Sequence, residues 1–139
     1  MALVGGGGAG NVAGSNPSGT SSNVNYIGNH IYAFSGITNV NNIETSLLEF
    51  STASTSYIIC KIQFNYIEPD SDNIQYKVYI NDEVIQAFQS DANNLSHIFP
   101  DSILHILIAS ESKVKLTAQN VTSSSTRAQI VSLVGRVYE

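Results

Sequence analysis

Few residues in this 139-residue chain combine the types and spacing that chemistry needs. The run Gly5-Gly6-Gly7-Gly8-Ala9-Gly10 fits the pattern G-x-G-x-x-G, whose glycines let a backbone approach a pyrophosphate at a helix N-terminus. The setting is missing here. Too few residues precede the run to form a strand, and Gly14, Pro17 and Gly19 break any helix after it. No acidic side chain follows where a ribose would need one. No dinucleotide site is expected. Asp70-Ser71-Asp72-Asn73 begins like a calcium loop. It then places Gln75 where the loop needs glycine and Asn81 where it needs glutamate. A solvated turn after Pro69 is the expectation.

Cys60, the single cysteine, shares a face with Ile58 and Ile62. It is expected to act as a small buried hydrophobe rather than a nucleophile, which would need a histidine and an open electropositive setting. His30, His97 and His105 follow no metal-ligand spacing. His105 alternates with Ile103 and Leu107 and is expected in the interior or at an interface. No G-x-S-x-G elbow and no paired carboxylates in a strand are present. These residues predict no enzyme, no catalytic or metal residues and no cofactor. Two glycosylation sequons, Asn94-Leu95-Ser96 and Asn120-Val121-Thr122, matter only on a secretory route. Tyr26, Tyr32, Tyr57, Tyr79 and Tyr138 offer a surface for protein or glycan, or simple cross-strand packing. Tyr79 points away from Val78 and Ile80, so it should face solvent or a partner.

The elements that position these residues are strands. Ile58, Cys60, Ile62, Phe64 and Tyr66 alternate with Ile59, Lys61, Gln63 and Asn65, a period of two with one buried face. Ile74, Tyr76, Val78 and Ile80 repeat the pattern, and Asn81-Asp82 then suits a two-residue hairpin turn into Glu83–Gln89. Val114, Leu116 and Ala118 form another alternating set. Ile103–Ala109 and Ala128–Tyr138 are apolar on both faces, as central strands would be. Ile31–Val40 and Ile43–Ser51 complete a set of about eight strands, separated by turns rich in Asn, Ser, Thr and Asp. The expected fold is all-β: a single antiparallel β-sandwich, a jelly roll, over residues 29–139. Residues 1–28 are Gly, Ser, Asn and Ala without periodicity and read as an extended N-terminal arm rather than a folded element. Fully extended, its first 22 residues reach at most roughly 75 Å.

Charge narrows the partners. Only 12% of residues are charged and the net charge is −5. Nucleic acid and anionic membrane surfaces both call for a basic face, so neither is expected as a partner. No apolar run is long enough for a transmembrane helix. The start, Met1-Ala2-Leu3-Val4, lacks the basic stretch of a secretory signal.

The layout resembles small jelly-roll structural proteins of viruses, namely the minor capsid and decoration proteins of tailed phages and marine viruses. The residues that carry the resemblance are the neutral arm Met1–Asn25 with Asn25-Tyr26-Ile27-Gly28, and the hairpin Val78-Tyr79-Ile80-Asn81-Asp82-Glu83-Val84. Val114–Leu116 and the terminal Leu133-Val134-Gly135-Arg136-Val137-Tyr138 complete it. It implies a virion component with no catalytic residues. Such a protein would assemble with copies of itself, as a trimer by expectation, and with other capsid proteins. The alternative is a carbohydrate- or receptor-binding β-sandwich such as a spike head.

Overall fold

Most of the alternating apolar segments become paired strands. The computed structural model describes residues 23–66, 72–90 and 103–138. The glycine run, Pro69 to Ser71, His97 and the Asn94 sequon lie outside the described residues. Ten strands are described: β1 (Asn23–Ile27), β2 (His30–Phe34), β3 (Thr38–Val40), β4 (Thr45–Ser51), β5 (Tyr57–Tyr66), β6 (Ile74–Ile80), β7 (Glu83–Gln89), β8 (Ile103–Ile108), β9 (Lys113–Asn120) and β10 (Arg127–Tyr138).

They form two antiparallel sheets packed as a sandwich. Sheet A runs β1-β2-β10-β5-β8, with β3 also paired to β10, and sheet B runs β4-β9-β6-β7. From β4 onward the chain crosses between the sheets repeatedly, and only β6 and β7 are consecutive strands of one sheet. The inward residues of both sheets make one core, including Ile31, Phe50, Ile58, Ile62, Phe64, Tyr76, Val78, Leu116 and Leu133. Each such side chain contributes about 1.5–3 kcal/mol when fully buried. Phe64, Tyr76 and Phe88 meet at centroid distances of 5.0, 5.3 and 5.8 Å, joining β5 of sheet A to β6 and β7 of sheet B.

Local chemistry explains the turns. Asn81 and Asp82 both have positive φ, 52° and 67°, as a type I′ hairpin requires. Asn81 also closes the turn against β9: its Oδ1 accepts from the Lys113 amide at 2.8 Å, and its own amide donates to the Lys113 carbonyl at 2.8 Å.

Several expectations need correction. The arm does not extend to residue 28, because Asn23–Ile27 is strand β1, hairpinned onto β2 through Gly28 (φ 61°). Backbone pairing, which no side-chain period reveals, recruits it. Ile31–Val40 is two strands: Ser35 binds Val131 through both its amide and its hydroxyl, and Gly36 turns with φ 70°. The pairing with β10 thereby slips by one residue between β2 and β3. β8 departs furthest from expectation. Its apolar residues suggest a central strand, yet among the described residues β8 is the outer strand of sheet A, with Ile103, His105 and Leu107 exposed. His105 is therefore not interior. β10, by contrast, is central.

Candidate interaction surface

The outer faces of the two sheets differ in their charges, although Val84 and Ile85 on β7 of sheet B are 48% and 43% exposed. On sheet B, polar side chains satisfy one another. Glu44, just before β4, accepts hydrogen bonds from Tyr79 Oη at 2.6 Å and Thr117 Oγ1 at 2.8 Å, and pairs with Lys77 Nζ at 3.4 Å. Burial pushes the Glu44 carboxyl up, but these donors outweigh it and hold its pKa below the ordinary value. The hydrogen bond to that carboxylate, with burial and the negative charge, pushes the Tyr79 hydroxyl up to about 12. Lys115 Nζ sits 4.5 Å from the centroid of the same ring. Tyr79 does lie on the outer face, but it is engaged within its own sheet.

Sheet A is different. Its strands contain Lys61, Arg127 and Arg136 and not one Asp or Glu. Pairing registers set its outward residues in rows. His30, Arg136, Ile59 and Leu107 form one row; Tyr32, Val134, Lys61 and His105 form the next; Phe34, Ser132, Gln63 and Ile103 form the third. Leu107 is 55% exposed, Val134 47%, Phe34 46% and Ile59 45%. Singly exposed apolar residues are ordinary, but contiguous ones on one face mark contact sites.

Aromatic rings border this face. Tyr57 and Tyr138, opposite each other on β5 and β10, stack at 5.2 Å with 13° between planes. The Arg136 guanidinium lies 5.8 Å from the Tyr138 centroid, and His30 stacks on Tyr32 at 6.4 Å. Beside Tyr57 lies an open, mainly apolar depression of about 390 Å³, lined by Tyr57, Ile59, Leu107, Ala109 and Ser110. It can bury apolar groups of a partner but presents no nucleophile and base together.

The other singled-out residues lie elsewhere. Cys60 is buried under sheet A, and burial pushes its thiol up to about 12. Asp72 is turned to structural use: its carboxylate pairs with Arg127 at 2.9 Å and accepts from Asn120 Nδ2 and Ser123 Oγ at 3.0 Å. That places Asn120, the second sequon asparagine, in the buried interior with its amide nitrogen engaged. Among the described residues no three His, Cys, Asp or Glu side chains converge as metal ligands would.

Residue types alone give no role to Glu44 or to the Tyr57–Tyr138 stack. Glu44 is the first charged residue in the sequence, but its partners lie far along the chain. No protein-family model matches this chain, and comparison with curated proteins and with solved structures gives no match.

Proposed function

We propose that this chain is a non-enzymatic structural protein of a virion, a decoration, cement or minor capsid component that works by packing against its neighbours. The observation that carries the reading is the outer face of sheet A: exposed apolar and aromatic residues, interspersed with Lys61, Arg136 and two histidines, on strands without a carboxylate. A face of that kind is suited to burial against protein, while sheet B, with its ion pairs internally matched, is suited to water. Supporting features are the low charged fraction of 12% and the neutral N-terminal segment, which would anchor by backbone hydrogen bonds and small-residue packing. The set β2-β10-β5-β8 facing β4-β9-β6-β7 supports a jelly-roll reading of the sandwich. The proposed partners are copies of the chain and other capsid proteins, and the proposed location is the virion, assembled in the host cell.

The test uses virus particles purified from the source on a density gradient. The chain should band with the particles, and recombinant full-length chain should rebind particles stripped of it. A variant combining Ile59→Ser, Leu107→Ser and Val134→Ser should fold but rebind at least tenfold more weakly. Particles that contain no copies of the chain would overturn the reading.

A second reading, a carbohydrate- or receptor-binding module, is favoured by one feature: Tyr57 stands 37% exposed beside the open depression. It requires glycan-array binding that Tyr57→Ala abolishes and Tyr79→Ala does not.

A further inference from the structure

Outer strands present unpaired backbone groups, and natural sheets protect them with charges, prolines or bulges. Sheet B follows that rule on both sides. β4 carries Glu49 and a register shift between Ser46 and Leu48, and β7 carries Glu83 and a shift opposite Val78 and Tyr79. Among the described residues the outer strand β8 has neither device; β1, at the other edge of sheet A, is likewise uncharged and unshifted but is Asn-Val-Asn-Tyr-Ile, without the apolar run of β8. β8 is Ile-Leu-His-Ile-Leu-Ile, without a formal charge, proline or glycine, and it pairs with β5 over six consecutive positions without a shift. Its outward residues Ile103 and Leu107 are 43% and 55% exposed.

We propose that β8 pairs antiparallel with β8 of a second copy of this chain across a two-fold axis, joining two A sheets into one. The inference deepens the assembly reading by naming one of the partners, and rests on that reading only in taking a like chain as the partner.

Charge decides between the edge and the face as the self-contact. A two-fold axis through the middle of the face would set Lys61 and Arg136 against their own copies. At the edge, β8 brings no charge. Lys61 lies one strand inward, so its copy is three strand spacings away, roughly 14 Å at ~4.8 Å each. That exceeds a Debye length of about 8 Å.

The pleat fixes the register. Outward residues must face outward residues, because a slip by one would turn a core side chain to water. The axis therefore passes through a residue rather than between two. Centred on His105, it pairs Ile103 with Leu107 of the second copy and Leu104 with Ile106, so both exposed apolar residues find apolar partners. Residues directly opposite in an antiparallel pair have Cα atoms about 4.5–5.5 Å apart, within the range of about 4.4–6.8 Å that a disulfide spans.

The experiment is cysteine cross-linking on the full-length chain, with mass by light scattering. The wild-type chain should run as a dimer at micromolar concentration. His105→Cys should give a covalent dimer under mild oxidation. Leu107→Cys, roughly 14 Å from its own copy at ~3.4 Å per residue, should cross-link at least tenfold more slowly. Leu107→Lys should be a monomer with unchanged circular dichroism. A wild-type monomer would overturn the proposal. So would equal cross-linking at the two positions, a trimer that His105→Cys does not cross-link, or a Leu107→Lys dimer. A specific dimer absent from virus particles would leave this inference standing and sink the capsid reading. A monomer that binds particles would do the reverse.

Discussion

The Tyr76 hydroxyl donates a 2.5 Å hydrogen bond to Gln129 Oε1 in the middle of the sandwich, with both residues fully buried. Tyr76 belongs to β6 and Gln129 to β10, so this bond ties sheet B to sheet A across the core. A buried acceptor that loses its donor costs about 1–3 kcal/mol. Tyr76→Phe should therefore lower the unfolding free energy by about 2 kcal/mol, read from urea midpoints. Adding Gln129→Met should recover much of the loss, because both polar groups are then gone. A double variant worse than the sum of its singles would contradict this account.

Gly135 on β10 lies directly opposite Cys60 on β5. A Cβ at position 135 would come within 2.5 Å of Cys60 Cβ and 2.6 Å of the Ile59 carbonyl oxygen. One of those atoms is backbone, so the clash is not relieved by rotating a side chain. Gly135→Ala should destabilise by about 1–3 kcal/mol, visible as a lower melting temperature. An unchanged melting temperature would mean that β10 and β5 separate there without cost.

The Cys60 thiol tests the same region chemically. With burial pushing it up to about 12, it carries almost no thiolate near neutral pH. Folded protein should react slowly with a disulfide reagent and promptly once guanidinium unfolds it. Cys60→Ser should cost about 1–3 kcal/mol, since the new hydroxyl is buried without a designed partner. Fast labelling of the native chain would place the thiol at the surface.

The pair Glu44 and Tyr79 makes stability depend on pH at both extremes. Glu44 has a lowered pKa when folded, so the unfolded chain binds its proton first as pH falls. Its contribution is complete above the ordinary value of 4.5 and is lost as pH drops through the folded value. Tyr79 is raised from 10.0 to about 12. Its contribution is complete below pH 10.0 and fades as pH climbs toward 12. Tyr79→Phe should cost about 1 kcal/mol at neutral pH and remove the alkaline slope. Glu44→Gln should flatten both. Urea titrations across pH check this, and an alkaline slope that persists in Tyr79→Phe would assign it elsewhere.

Local sequence determined most of the strand content, though not β1 or the break between β2 and β3, because a period of two is written in neighbouring residues. Ile58 to Phe64, Ile74 to Val78 and Val114 to Ala118 took the buried faces their alternation demands, and Ile80 is half-buried. The Asn81-Asp82 turn was legible for the same reason: both residue types tolerate positive φ. Burial of Cys60 followed from its place in that alternation.

Tertiary structure decided what depends on residues far apart. Leu47 and Leu48 are adjacent yet both fully buried, because the register with β9 shifts between Ser46 and Leu48. Apolar residues on both faces of Ile103–Ala109 suggest a central strand for β8, since such a strand looks the same whether a neighbouring strand or another molecule covers it. Only the sheet order shows it at the edge. The acid-free rows of sheet A were invisible for a related reason. They align residues from β2, β10, β5 and β8, and strand registers across a sheet are fixed by long-range backbone pairing and by packing of the core beneath, not by any local pattern.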